Sequence, residues 1–179
     1  MMSSVVVIAI CTLFIGVFGP ALLHKVRERP RFSAALHAYQ ILPSSMVTPV
    51  VWLLILAEIV VTVGLIITPE LALRWALCLF AGYGVAIAIN VARGRSEIDC
   101  GCGDEPTPVS WRVLLRNMVL VGLALIGIYL TGTNIYAPEL SAGTVLLGIS
   151  LGLTGWILYL GFEQLIANSG RHQRLWLGV

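Results

Sequence analysis

Charge is what this sequence has least of. Nine acidic and eleven basic residues supply 11% of its 179 positions, against about 25% in an average soluble domain. So few polar groups cannot cover a water-soluble globule, which excludes that class. Cysteine is also scarce, at four residues, which excludes a disulfide-dense secreted scaffold. No nucleophile elbow, phosphate-cradling glycine loop, His-Glu-x-x-His sequence or catalytic carboxylate spacing occurs, so ordinary hydrolysis and phosphoryl transfer have no support. A net charge of only +2 gives no basis for nucleic-acid binding. Internal repeats and low-complexity segments are missing too.

Apolar residues are abundant instead, at 58% of the chain with a mean hydropathy of +0.93. A spanning helix needs about 20 mostly apolar residues to cross ~30 Å of hydrocarbon. Five stretches meet this requirement: Ser4–Leu23, Val47–Ile67, Leu71–Val91, Val113–Leu130 and Thr144–Phe162. Between them lie the basic stretch His24–Arg31, the turn Thr68-Pro69-Glu70, the polar loop Ala92–Arg112 and the link Thr131–Gly143. These are the breaks that proline, glycine and charge make between spans. The pattern predicts an all-α, polytopic membrane bundle forming a single domain over residues 1–179, with lipid as its main partner. The first run is read as a span rather than a cleaved signal, because no Lys or Arg precedes Val5 and the positive charge follows the run. The residues before Cys11 likewise lack the pattern of a lipoprotein processing site.

Lys and Arg resist translocation, so their distribution predicts orientation. Ten of the eleven fall on one side: Lys25, Arg27, Arg29 and Arg31; Arg93, Arg95, Arg112 and Arg116; and Arg171 and Arg174, with only Arg74 opposite. The count places the N-terminus outside and the C-terminus in the cytoplasm. The tail from Arg171 to Val179, with Leu175, Trp176 and Leu177, is read as amphipathic.

The sharpest local motif is Glu97-Ile98-Asp99-Cys100-Gly101-Cys102-Gly103-Asp104-Glu105, in the long acidic loop. Two cysteines one residue apart have Cα atoms within ~7 Å even when extended, and Gly101 lets the chain fold enough to join them. Such a small ring is strained and exchange-active. Asp99 and Asp104 disfavour a thiolate, which suits the pair to passing a disulfide on rather than attacking one. Two other readings stay open: unpaired loop cysteines, and a zinc site shared with His24 and His37, although the spacing fits no zinc motif well. Cys11 and Cys78 lie at similar depth in the first and third spans, a geometry that also allows a second thiol pair. Either can equally be a small apolar filler.

Glu58 falls about eleven residues into its span, close to the midplane, where a carboxylate costs at least ~2.5–3.5 kcal/mol. It must be neutral, paired or facing a cavity. A proton relay or a quinone or thiol contact is one role; an interhelical hydrogen bond from the protonated acid to Asn90, Asn117 or a threonine is the other. The run from Ser110-Trp111-Arg112 to Arg116-Asn117 is expected to anchor the cysteine loop. Trp52, Trp75, Trp111 and Trp156 suit membrane interfaces and helix packing, and Glu163 suits the inner interface.

Three stretches together resemble the MauE family, within the wider group of DoxX-like membrane proteins. They are Gly19-Pro20-Ala21-Leu22-Leu23-His24-Lys25, Val51-Trp52 through Ala57-Glu58, and Ile98-Asp99-Cys100-Gly101-Cys102-Gly103 followed by Pro108-Val109-Ser110-Trp111 and Arg116-Asn117. The last is the most specific. The resemblance implies a four-helix core plus one span, in a bacterial inner membrane. It also implies a part in processing, transport or maturation of the disulfide-rich β (small) subunit of methylamine dehydrogenase, beside the thioredoxin-like periplasmic protein MauD. Cys100 and Cys102 then become the redox pair of an accessory factor rather than of a free-standing enzyme. A quinone-linked thiol oxidoreductase with quinone near Glu58, and a structural or transport subunit with incidental cysteines, are the rival readings. No metal is expected, and no cofactor besides that quinone. The charge count conflicts with a periplasmic client, because it puts Cys100 and Cys102 on the cytoplasmic side. Either electrons cross the membrane, through Cys11 and Cys78 for instance, or the loop re-enters the bundle, or the orientation is reversed.

Overall fold

A computed structural model describes residues 2–95, 98–101, 107–132 and 141–177, with side chains described as far as residue 168. The described residues form six helices: α1 (Met2–Arg27), α2 (Arg29–Ala38), α3 (Ser44–Ile67), α4 (Pro69–Ala92), α5 (Trp111–Gly132) and α6 (Ala142–Leu177). All but α2 are long and apolar enough to cross a membrane, so the chain is a multi-pass membrane protein. Each of the five apolar runs lies within one of these helices, and all the helices except α3 extend beyond their run at both ends.

Helix ends follow local chemistry. Pro30 and Pro69 sit in the first turns of α2 and α4, where a missing N–H leaves no bond unmade. Thr68 closes α3 by donating its N–H to Gly64 O at 2.7 Å, and its own carbonyl accepts from Ala72 N–H at 3.0 Å, so α3 and α4 form a tight hairpin. Pro20 stands inside α1. The helix continues past it, as membrane helices tolerate.

Helices α1, α3, α4 and α5 pack around a core of α1, α3, α4 and α5 side chains that includes Phe14, Phe18, Leu73 and Phe80. The Phe80 ring stacks on Phe18 at 4.8 Å and meets Phe14 edge-on at 5.0 Å. Large apolar side chains such as Ile66, Ile67, Leu146 and Leu158 cover the outside, which is the surface that hydrocarbon solvates. α6 lies against α1 through small residues. A Cβ on Gly152 would stand 2.5 Å from Thr12 Cβ and 2.6 Å from the Ala9 carbonyl oxygen, and one on Gly148 would stand 2.7 Å from Ile8. Glycine four residues apart lets backbones approach where no hydrophobic effect drives association. Gly152→Leu is therefore expected to push α6 off α1 and lower stability by about 1–3 kcal/mol. Gly161→Leu, whose Cβ meets nothing within 4 Å, should leave the denaturation midpoint in detergent unchanged.

The structure corrects one expectation of the basic stretch His24–Arg31. Residues 24–27 are the last turn of α1, and α2 begins two residues later. Lys25 is buried, not solvated. The tail's backbone continues α6 to Leu177; the side chains proposed to make it amphipathic lie outside those described.

Candidate functional site

Lys25, Glu58, Tyr83, Arg116 and Asn117 line one cavity of about 330 Å³, walled by α1 to α6 and by the cysteine loop. The Lys25 ammonium reaches Glu58 Oε1 at 2.5 Å, and the Tyr83 hydroxyl donates to the same oxygen at 2.6 Å. Lys25 also lies 5.1 Å from the centre of the Phe32 ring and 5.3 Å from that of Tyr83, so aromatic faces solvate the rest of the ammonium. The expected partners of Glu58 are otherwise engaged. Asn90 donates to Ala86 O at 3.0 Å, and Asn117 donates to Phe80 O at 2.5 Å. Thr62 bonds the backbone carbonyl of Glu58, not its carboxyl. One oxygen of the acid, Oε1, is therefore held by a cation and a phenol.

A second ion pair joins the buried Arg116 of α5 to the half-buried Glu163 of α6. Arg116 is also 5.6 Å from the Tyr159 ring centre. Both Arg116 and Tyr159 line the cavity. Within the run that opens α5, Arg116 ties α5 to α6, and Asn117 donates to an α4 carbonyl beside Gly84.

The loop is closed by its own backbone and tied to the bundle by Arg31 and Tyr39. Cys100 N–H donates to Thr107 O and Val109 N–H to Ile98 O, both at 2.8 Å, closing an antiparallel bridge between Asp99 and Pro108. Asp99 Oδ1 accepts from Gly101 N–H and Thr107 N–H at 3.2 Å each, and Asp99 Oδ2 faces Arg31 of α2 at 3.3 Å. Gly101 has φ +70°, and a Cβ there would stand 3.2 Å from Ala35. Only glycine permits that turn and that contact together. Tyr39 donates to Cys100 O at 3.2 Å. Burial, helped by the Asp99 charge and opposed by Arg116, pushes the Tyr39 phenol up to about 12. Its stabilising effect is full below the ordinary value of 10.0 and is lost as pH rises through about 12, so the bond persists at neutral pH.

Cys100 is buried, disulfide-bonded and part of the cavity wall. Cys102 and Asp104 lie outside the described residues. Cys11 and Cys78 are both free thiols, and the structure does not join them. Cys11 is buried in the α1 core, whereas Cys78 is exposed on α4 and lines the cavity. His37 meets Ser44 Oγ at 3.2 Å, and among the described residues no three metal-ligating side chains converge. Trp52, Trp75 and Trp111 are exposed; Trp156 packs on Gly16 between α6 and α1.

Lys25, Tyr83, Tyr39 and the Arg116–Glu163 pair are the site residues that the sequence reading missed. One signal was available. Lys25 is the chain's single lysine, at the end of an apolar run, and an acid at mid-span calls for a cation within reach.

Residues 3–130 match the family model described as methylamine utilisation protein MauE. The chain belongs to the MauE family. It is 37% identical to the methylamine utilization protein MauE of Paracoccus denitrificans over 153 residues, covering 83% of this chain and 80% of that relative. To the MauE of Paracoccus versutus it is 33% identical over 174 residues, covering 92% and 89%, and to that of Methylophilus methylotrophus 28% over 182 residues, covering 98% and 94%. No solved structure matches. The MauE match contains Lys25, Glu58, Tyr83, Cys100 and Arg116, and it ends within α5. The outer helix α6, with Tyr159 and Glu163, therefore closes a cavity that the MauE-matched segment otherwise builds.

Proposed function

We propose that this MauE-family protein is an accessory maturation factor of the bacterial inner membrane, serving methylamine dehydrogenase. Cys100 and Cys102 form its exchanging pair. They pass a disulfide by thiol–disulfide exchange, through a mixed disulfide, to a periplasmic MauD-like thioredoxin-fold partner and so to the β subunit. The observation that carries this reading is the disulfide-bonded Cys100, held on a docked hairpin at the wall of a charged cavity. A structural loop needs neither the cavity nor the polar cluster behind it. The redox role also agrees with the family's place in methylamine utilisation.

Orientation belongs to the same proposal. With Lys25 and Arg116 in buried pairs, eight basic residues against one still favour an outside N-terminus and an inside C-terminus. The hairpin turns Cys100 inward to the cavity, which favours the re-entrant arrangement over a solvated cytoplasmic loop. In a strain lacking this chain, the thioredoxin-fold partner should accumulate reduced and the exported β subunit should be under-oxidised, as read by alkylation gel shift of periplasmic extracts. A β subunit retained in the cytoplasm with its partner normally oxidised would instead establish the transport reading.

A further inference from the structure

We infer that the cavity binds a lipid-soluble quinone, which takes up the electrons released when the Cys100 disulfide forms. This deepens the proposed thiol-exchange function and rests on it, because exchange with a partner dithiol leaves the Cys100 site reduced. An oxidant must then restore it.

Four features of the cavity select the chemical class. Its volume of about 330 Å³ lies at the lower end of the range for small-molecule sites, roughly 300–1,000 Å³, enough for a ring head group. Its wall is largely apolar, with Phe18, Leu54, Phe80 and Leu120. Two residues lining it retain a buried polar atom without a hydrogen-bond partner: Glu58 Oε2 and Arg116 Nε. Glu58 is 1% exposed and Arg116 6%, so each atom lacks both protein and bulk water, and such groups call for a ligand or an ordered water. Arg116 Nε can donate to a quinone carbonyl, and Glu58 Oε2 can accept from the hydroxyl that reduction creates. Finally, Cys78 and Gly82 line the cavity yet lie on the exposed face of α4. The route in is therefore from hydrocarbon, not from water. A fatty acid would share that route but would set its carboxylate against those of Glu58 and Glu163.

The electron balance closes within the site. As the sulfur–sulfur bond forms, the reduced Cys100 pair gives up two electrons and two protons. The quinone takes both electrons and both protons and leaves as quinol.

The test uses the purified full chain in nanodiscs, with decylubiquinone as probe. Reduced with dithiothreitol and freed of it, the protein is expected to convert one decylubiquinone to quinol for each Cys100 disulfide formed, as read from quinone absorbance and thiol titration. Decylubiquinone should also slow alkylation of Cys78 by N-ethylmaleimide. Gly82→Trp should abolish both effects while the protein stays folded, because a Cβ at Gly82 meets nothing within 4 Å. No slowing at Cys78, equal slowing by oleate, or quinone reduction undiminished in Gly82→Trp would each overturn the quinone site. Exchange of the Cys100 disulfide with a small dithiol is measured separately. Its failure with Cys78 protection intact would reject the thiol-exchange function, whereas its success without protection would reject only the quinone.

Discussion

Glu58→Ala is expected to destabilise the protein by about 3–5 kcal/mol, the usual result of removing one member of a buried ion pair. The substitution leaves the Lys25 ammonium, 4% exposed, without its carboxylate and leaves the Tyr83 hydroxyl without its acceptor. Lys25→Ala should cost a similar amount by stranding the carboxylate. Replacing both, as Lys25→Met with Glu58→Leu, should recover most of the loss, since two apolar side chains carry no desolvation penalty into the same space. The measurement is a denaturant titration in detergent of the unsubstituted protein, Lys25→Met, Glu58→Leu and the double variant, analysed as a double-mutant cycle. A loss in the double variant equal to the sum of the two single losses would mean that the pair does not interact. A stable but inactive double variant would show that the polar cluster is kept for function.

The spans were legible because hydrocarbon imposes a length and a composition on any helix that crosses it. The run Val47–Ile67 ends where α3 ends, at the Thr68-Pro69 break, and Glu58 announced itself as a residue needing compensation. What compensates it was not legible, because Lys25 stands 33 positions away and is identical in composition to a solvated loop cation. Grouped with Arg27 and Arg29 it reads as one more loop cation, whereas its side chain turns into the bundle. α2 escaped for a different reason. It is short and polar on average, begins at a proline, and becomes a helix with a purpose only when Phe32, Ala35 and the nearby Tyr39 receive Gly101 and Cys100.

The same contrast applies at the hairpin. The Cys-x-Cys spacing and the need for Gly101 could be read from residue types. A further use of Asp99 could not: its carboxylate accepts from Gly101 N–H and Thr107 N–H and faces Arg31. Asp99 thus works mainly as a clamp that shapes the loop, and Arg31 ties that clamp to α2.

That clamp makes the second large effect interpretable. Cells whose only copy carries Cys100→Ser and Cys102→Ser should lose correctly disulfide-bonded β subunit to the level of a strain lacking the protein. The membrane protein itself should accumulate normally, because the Asp99 bonds, the Tyr39 bond and the two backbone bonds of the hairpin do not involve sulfur. Cys11→Ala removes a thiol that lies in the α1 core, away from the cavity wall, and should leave the β subunit fully oxidised. The readouts are membrane abundance by immunoblot, β-subunit redox state by alkylation gel shift, and dehydrogenase activity. Undiminished, correctly bridged β subunit in the double serine variant would reject the redox role. A secreted but misoxidised β subunit is what the exchange mechanism requires, since export would proceed and only the disulfide source would be missing.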